Sequence, residues 1–188
     1  MSETGSSRKR VAPIIASVVG ALLVGFLWVL VTAKPNTADD ADSPLLGQPA
    51  PSVVTTTLNE EDFVLARRKG SWVIFNFFNS TCVPCVAEHS ELVAFNERES
   101  TAANPAELYT VINDDNDDSV RAFFSKNGGE WQKIRDTDGA ISVAFGVAKV
   151  PETWVIDPNG YVRLRIAGKL TPGLLDDQLA LLKKQFGS

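Results

Sequence analysis

The sequence predicts an α/β domain with a mixed central sheet and helices on both faces, preceded by one transmembrane helix. Residues 72–78, "WVIFNFF", form a nearly continuous β-branched and aromatic run, which is typical of a central strand covered on both faces. Helical and strand-like segments then alternate, and two alternating strands surround the turn sequence at 157–160. Parallel crossovers followed by an antiparallel hairpin indicate a mixed sheet.

The amino terminus predicts a membrane anchor. Three basic residues at positions 8–10 precede residues 11–32, an uncharged stretch long enough to cross a hydrocarbon layer of about 30 Å. We interpret residues 1–10 as a cytoplasmic tail and residues 11–33 as a transmembrane anchor. A cleaved signal peptide is the alternative, although its apolar core usually has only about 7 to 15 residues. In both cases the chain from about Lys34 onward is expected outside the cytoplasm. The uncleaved anchor would hold it at the cell membrane in a single pass, with the N-terminus in the cytoplasm.

Composition changes after the anchor. Residues 34–51 are rich in Pro, Asp, Ser and Ala, as in a linker, and residues 52–188 are predicted to fold. The first 33 residues hold three of the 18 basic and one of the 23 acidic residues, so the remainder carries a formal charge of −7. This charge argues against nucleic acid as a partner. The acidic run at 113–118 lacks the glycine and closing glutamate of an EF-hand, and we interpret it as a solvated turn.

The elements of the folded part follow from local patterns. Residues 52–58 predict a short β-rich piece, and residues 60–71 a short helix or turn. A helix is predicted from about Cys82 to Ser100, with Pro84 in its first turn. The remaining predictions are a buried strand at 107–113, a helix at 117–129, a short helix closed at Gly146, the hairpin at 152–168, and a final amphipathic helix at 171–186 with Thr171 as N-cap.

Cys82 and Cys85 are the only cysteines of the chain, and their spacing is compatible with four kinds of site. A structural disulfide closing so short a loop contributes only roughly 2 kcal/mol. Zinc needs four ligands, and the one histidine, His89, would supply only a third. Covalent haem attachment requires a histidine directly after the second cysteine, where Val86 stands. The fourth interpretation is a redox pair, and no metal or cofactor is predicted.

The redox interpretation uses the position of the pair between a strand and a helix. Unpaired N–H groups and the helix dipole stabilise an anion at the start of a helix, where Cys82 stands. The thiol pKa in such motifs falls to about 3.5–7.5, which favours Cys82 as the nucleophile. Cys85, one turn further in, is expected to be more buried and to resolve the mixed disulfide. The predicted reaction is dithiol–disulfide exchange through a Cys82–Cys85 disulfide.

With these features the chain resembles the thioredoxin superfamily, specifically the membrane-anchored TlpA/ResA/DsbE group of thiol-disulfide oxidoreductases. The resemblance covers about residues 46–186 and rests on "GQPAP", "VIFNFFNSTCVPC", "KVPETWVID" and "DPNGYVRLRIAG". It implies a thioredoxin-like three-layer fold for residues 52–188. It also implies a substrate groove and tuning residues at Pro151, as the family's cis-proline, and at Glu152, Val150, Thr81 and Pro84.

Two positions differ from the thioredoxin pattern. Thr81 replaces the tryptophan that usually precedes the first cysteine of the group, which puts the usual shape of the docking face in doubt. Asn76 replaces the buried acid of ordinary thioredoxins, so one route for proton transfer to Cys85 is missing. Alternatively, Glu152 is a solvated carboxylate on the surface, without a role in the groove.

Within the group, "PETWVID" and "RIAG" look most like the branch that serves cytochrome c maturation. The resemblance implies reduction of disulfides in apocytochrome c, for haem attachment, by a protein recharged from a membrane thiol donor of the CcdA/DsbD type. Tethering would raise the effective concentration of membrane partners. The alternatives are a general thiol reductase, a disulfide-forming oxidant, and an anchored non-catalytic binding module. A peroxiredoxin-like peroxidase is disfavoured because Asn79 stands where that family places Thr or Ser.

Overall fold

The computed structural model describes residues 11–32, 39–40 and 42–187, and it divides the chain into two compact units, residues 1–35 and residues 36–188. In the first unit, helix α1 extends over Val11–Thr32. Within the part of the chain that the structure describes, no helix combines the length and the apolarity needed to span a bilayer. The tail predicted at residues 1–10 lies outside the described residues.

A six-stranded mixed sheet forms the centre of the second unit. Its strands lie in the order β1-β8-β7-β4-β5-β6. Strand β4 is parallel to β5 and antiparallel to β7, which confirms the predicted combination of crossovers and a hairpin. A separate pair, β2 and β3, is antiparallel. The strands are β1 (Asp39–Asp40), β2 (Val54–Thr56), β3 (Asp62–Val64), β4 (Val73–Phe78), β5 (Glu107–Ile112), β6 (Gln132–Arg135), β7 (Glu152–Ile156) and β8 (Val162–Ala167).

Helices cover both faces of the sheet. Every residue of the central strand β4 is therefore buried, and its alternate side chains enter two separate cores. Ile74 and Phe78 pack with the three long helices, whereas Phe75 and Phe77 pack with the short helix and with β3. The long helices are α2 (Val83–Ser100), α3 (Asp117–Asn127) and α5 (Leu174–Phe186), and the short one is α4 (Ala140–Phe145).

Three local predictions differ from the structure. Strand β6 was not predicted, since "QKIR" contains a single buried apolar side chain. Residues 60–71 contain a short 3-10 helix, Leu65–Arg68, which agrees with the predicted short helix or turn, and also strand β3, which is not predicted. Helix α5 begins at Leu174, and Thr171 is not its N-cap. Gly173 holds that position with φ 75°, a left-handed conformation that glycine adopts without strain, and Thr171 only closes a turn before it.

Part of the segment predicted as a linker is hydrogen-bonded to the domain. Strand β1 pairs with β8 through Asp39 and Asp40. The Gly47 N–H donates to the Val162 carbonyl at 2.8 Å, and the Val162 N–H donates to the Gln48 carbonyl at 2.9 Å. These bonds attach the "GQPAP" sequence to the start of β8.

Candidate active site

The cysteine pair lies at the carboxyl end of the central strand. Strand β4 ends at Phe78, a short loop follows, and Cys82 is the N-cap of α2. Pro84 occupies the first turn of the helix, where its missing N–H is not needed. The buried strand and the capped helix therefore place both cysteines at one edge of the sheet.

Cys82 and Cys85 are joined in a disulfide, with their Cα atoms 5.2 Å apart. Cys82 is half-buried, whereas Cys85 has no exposed surface. The Cys85 N–H donates to Cys82 Sγ at 3.3 Å. A donor aimed at this sulfur, together with the helix N-terminus, stabilises a thiolate on Cys82 once the disulfide is reduced.

Val150, one of the residues predicted to form the groove, lies next to this sulfur. The Val150–Pro151 peptide bond is cis. The Val150 carbonyl oxygen lies 3.6 Å from Cys82 Sγ, and Pro151 is buried behind it. Pro151 also accepts a hydrogen bond from the Gly168 N–H at 2.9 Å, which ties this segment to the end of β8. The segment that carries Pro151 thus lies against the sulfur of the half-buried Cys82.

The loop before Cys82 is fixed by Asn79. Its Nδ2 donates to the carbonyls of Asn113 (3.1 Å) and Asp114 (2.7 Å), and its Oδ1 accepts from the Thr81 N–H and hydroxyl. The Ser80 N–H donates to the Asp115 carboxylate. Thr81, the position that usually carries tryptophan, is exposed, and its hydroxyl is held by Asn79. The acidic turn is therefore attached to the redox loop.

Glu152 is buried, with 1% of its surface exposed, so the interpretation as a solvated carboxylate is wrong. Arg165 donates to it from two nitrogens, at 2.8 and 3.0 Å. The Ala148 N–H also points at this carboxylate, at 3.4 Å. The carboxylate of Glu152 thus joins β7, β8 and the segment before Pro151, as a positioning element behind the groove.

Glu88 is the site residue that sequence reasoning missed. It follows Cys85 by three positions on α2, a spacing that puts two side chains on one helical face with their Cβ atoms about 5–6 Å apart. It is fully buried, and Asn76 Nδ2 donates to its Oε1 at 2.8 Å, while the Leu170 N–H donates to its Oε2 at 2.7 Å. Burial raises the pKa of Glu88 to about 7, against the lowering effect of these two hydrogen bonds.

A match to a family of known proteins covers most of this domain. Residues 46–165 match the model of the AhpC/TSA family. The chain belongs to the AhpC/TSA family. This result confirms the predicted thioredoxin-like relationship.

Curated relatives of this protein include the thiol-disulfide oxidoreductase ResA of Bacillus subtilis. It is 27% identical over a segment that covers 85% of this chain and 90% of ResA. The thiol:disulfide interchange protein HelX of Rhodobacter capsulatus is 30% identical over 78% and 81%. DsbE of Escherichia coli is 26% identical over 88% and 89%. The protein is therefore a thiol-disulfide oxidoreductase of the ResA, HelX and DsbE type.

Solved structures support the same fold for this family member. A thioredoxin family thiol:disulfide interchange protein from Chlorobium tepidum superposes with a TM-score of 0.64 at 23% identity, over 75% of this chain and 98% of its own. A thiol-disulfide oxidoreductase from Bacteroides fragilis superposes with a TM-score of 0.63 at 16% identity, over 72% and 99%. The thioredoxin-like fold is thus confirmed.

His89 also lies close to the pair along α2, but it belongs to a different cluster. Its ring is buried among Phe123, Phe124 and Trp131, and Nε2 donates to the Gly128 carbonyl at 3.0 Å. Burial lowers the pKa of His89. His89 is therefore a core residue that packs α2 against α3.

The arrangement in this AhpC/TSA member is asymmetric. One sulfur is reachable from outside and has an N–H donor, and the other is enclosed with a carboxyl of near-neutral pKa one turn away. Such a site can form a mixed disulfide through Cys82 and then deprotonate Cys85 for the second exchange. No group of metal-ligating side chains occurs among the residues described.

Proposed function

We propose that this protein is a membrane-anchored reductase whose extracytoplasmic domain reduces the disulfides of apocytochrome c before haem attachment. The resemblance of "PETWVID" and "RIAG" to the cytochrome c maturation branch supports the client, and the ResA, HelX and DsbE relatives support the chemistry. The observation that carries the proposal is the buried Cys85 with Glu88 one turn away.

The reaction proceeds in two exchanges. The Cys82 thiolate attacks one client sulfur, the client S–S bond breaks, and the other client sulfur leaves as a thiolate that takes a proton. Cys85 then gives its proton to Glu88 and attacks Cys82 Sγ, which releases the first client sulfur as a thiolate. Two electrons pass to the client, and Cys82–Cys85 becomes a disulfide.

The carboxylate of Glu88 is suited to this second exchange. A thiolate is the attacking species, and a thiol enclosed by apolar groups needs an acceptor for its proton. A carboxyl with a pKa of about 7 accepts that proton near neutral pH and returns it easily. Replacing it in Glu88→Gln should slow client release about 10²-fold, while formation of the mixed disulfide at Cys82 should be little changed.

The exposed apolar side chains beside the pair support docking of a peptide segment. Val83 and Val86 flank the cysteines on α2 and are 78% and 44% exposed. The Val150 carbonyl oxygen lies 3.6 Å from Cys82 Sγ. An extended client segment can place its disulfide sulfur between these groups, with its backbone along the segment that carries Pro151.

The anchor and the electron donor belong to the same proposal. Residues 11–33 would hold the domain at the membrane, and a membrane dithiol protein of the CcdA/DsbD type would restore the dithiol by the same exchange in reverse. Fractionation of cells that produce the full chain tests this point. Recovery in the membrane after an alkaline wash supports the anchor, and release into the soluble extracytoplasmic fraction contradicts it.

The decisive test of the client is trapping. Cys85→Ser should accumulate mixed disulfides through Cys82, which mass spectrometry can identify, and Cys82→Ser is the matched control that should trap nothing. Purified protein should also reduce a disulfide peptide containing Cys-x-x-Cys-His. Trapped proteins without this motif would contradict the proposed client. A reduction potential near that of the strong oxidant DsbA, about −120 mV, would indicate disulfide formation instead.

A further inference from the structure

The buried amide of Asn76 is bonded on one side only. Its Nδ2 donates to Glu88 Oε1 at 2.8 Å and to Thr153 Oγ1 at 3.1 Å. Its Oδ1 is buried and has no hydrogen-bond partner among the described residues. The side chains of Asn76, Glu88 and Thr153 are all completely buried.

This arrangement matches an ionised Glu88. A carboxylate offers only acceptors, and it receives one N–H from Asn76 on Oε1 and another from Leu170 on Oε2. A proton on Oε1 would place two donors against each other, because the Asn76 amide nitrogen already points there. A proton on Oε2 would meet the Leu170 N–H in the same way. A protonated oxygen is a poorer acceptor and offers a donor of its own, so a rearrangement of these partners favours the protonated form.

The main-chain donor of Leu170 is fixed, whereas the amide of Asn76 can turn. Rotation by 180° about its terminal torsion exchanges Oδ1 and Nδ2. The oxygen then faces both neighbours and accepts from the Glu88 carboxylic acid and from the Thr153 hydroxyl, which can donate as well as accept. The number of bonds is the same before and after rotation, and one amide atom stays without a partner in both states.

We propose that Asn76 is a positioning residue that reverses its amide, with Thr153 as the second partner, each time Glu88 gains or loses a proton. This inference rests on the proposed function, in which Glu88 takes the proton of Cys85. It explains how an amide serves at a position where ordinary thioredoxins carry an acid: the amide is neutral, and it satisfies the carboxylate and the acid equally in number of bonds.

The groups bonded to Glu88, or to its partner Asn76, come from three elements. Asn76 belongs to β4, Thr153 to β7, and Leu170 to the segment between β8 and α5. Lys169, in the same segment, is the charged group whose field reaches the carboxyl, and it favours the ionised form. A fixed positive charge shifts the midpoint of the titration but does not decide which amide atom faces Oε1.

Nuclear magnetic resonance on the full oxidised chain, kept in mild detergent, tests the reversal without any substitution. The Glu88 carboxyl ¹³C signal and the Asn76 side-chain amide signals should change with one common midpoint. Contacts of the Asn76 NH₂ protons with the Thr153 side chain should be present above that midpoint and lost below it. An amide that keeps these contacts throughout the Glu88 titration would overturn the proposal.

Substitution gives a second, quantitative test. Asn76→Leu removes a hydrogen bond from both states, and the bond to a carboxylate is the stronger one, so the pKa of Glu88 should rise by about one. A fixed Asn76 that serves only the carboxylate predicts a rise of two or more, which would refute the reversal, as would no rise. Thr110→Val is the control, since Thr110 is a buried threonine on neighbouring β5 that bonds Trp131.

The pH profile of turnover links the inference to the chemistry. With a small disulfide substrate, the profile of Asn76→Leu should move upward by the same amount as the Glu88 pKa, whereas that of Thr110→Val should not move. An unmoved profile in Asn76→Leu would refute the positioning role. Failure to reduce an apocytochrome peptide would refute the proposed client instead and would leave the coupled titration of Asn76 and Glu88 in place.

Discussion

Stability of the protein should fall as pH rises through the titration of Glu88. The carboxyl is fully buried, and its pKa rises from 4.5 in the unfolded chain to about 7 in the native structure. Between these values the native state holds a proton that the unfolded state has lost. The contribution is therefore fully present below pH 4.5 and is lost by the time the pH exceeds 7.

The magnitude follows from the same two values. A rise of this size corresponds to about 3 kcal/mol, a considerable part of the 5–15 kcal/mol that typically stabilises a domain. Glu88→Gln removes the titration and resembles the protonated acid in shape and charge. Urea unfolding of the oxidised wild-type chain and of this variant, from pH 4.5 to pH 8, should show the difference in unfolding free energy changing by about 3 kcal/mol.

The comparison cancels groups that titrate in both proteins, His89 among them. The oxidised state is chosen because disulfide-bonded cysteines do not titrate. Parallel pH dependences of the unfolding free energy in wild type and Glu88→Gln would refute the reasoning, since they would mean that Glu88 has the same pKa in the folded and unfolded chains.

Three other groups of side chains have measurable roles. The pKa of His89 is lowered by burial, so its contribution to stability is present above pH 6.5 and lost on acidification. His89→Phe should therefore reduce the loss of unfolding free energy between pH 7 and pH 5, measured by urea unfolding. An unchanged dependence of the unfolding free energy on pH would contradict this. Arg165→Ala leaves Glu152 buried without its partner and should lower the unfolding free energy by about 3–5 kcal/mol, measured by urea unfolding. Adding Glu152→Gln should recover part of this loss. A loss below about 1 kcal/mol would exclude the pairing role. Asn79→Ala should accelerate amide hydrogen exchange at Thr81 while exchange in β4 stays slow, and equal protection in both proteins would argue against the loop contacts.

Local patterns were sufficient for the elements that carry the cysteines. The run before Phe78 reads as a buried strand without further information, and Pro84 with the following apolar spacing reads as a helix start. These signals lie within one element each. The same holds for the hairpin, since residues 157–160 are a recognisable turn sequence between its two strands.

The partners of Glu88 could not be found in the same way. Asn76 lies 12 positions away and Leu170 lies 82 positions away, so their bonds exist only after the sheet and the last segment have assembled. On sequence alone Glu88 is one acid among several on α2. A signal was available in retrospect, since its spacing from Cys85 places it on the same helical face as a residue expected to be buried.

The exact ends of helices were also less predictable, because they depend on backbone conformations that the assembled fold selects. Thr171 and Pro172 resemble a helix start, but Gly173 adopts the left-handed conformation and the helix begins one residue later. The family resemblance located Pro151, whereas only the structure shows its peptide as cis and its neighbour's carbonyl beside Cys82.

The unequal exposure of the two sulfurs also determines how the reduced protein meets small oxidants. We expect peroxide that reaches the reduced chain to oxidise Cys82 to a sulfenic acid, because Cys85 has no exposed surface. The Cys85 thiol, three residues away, then condenses with that sulfenic acid, releases water and forms the same disulfide that a client would leave. The disulfide protects both sulfurs from irreversible oxidation to sulfinic and sulfonic acids, and thiol–disulfide exchange can reduce it again.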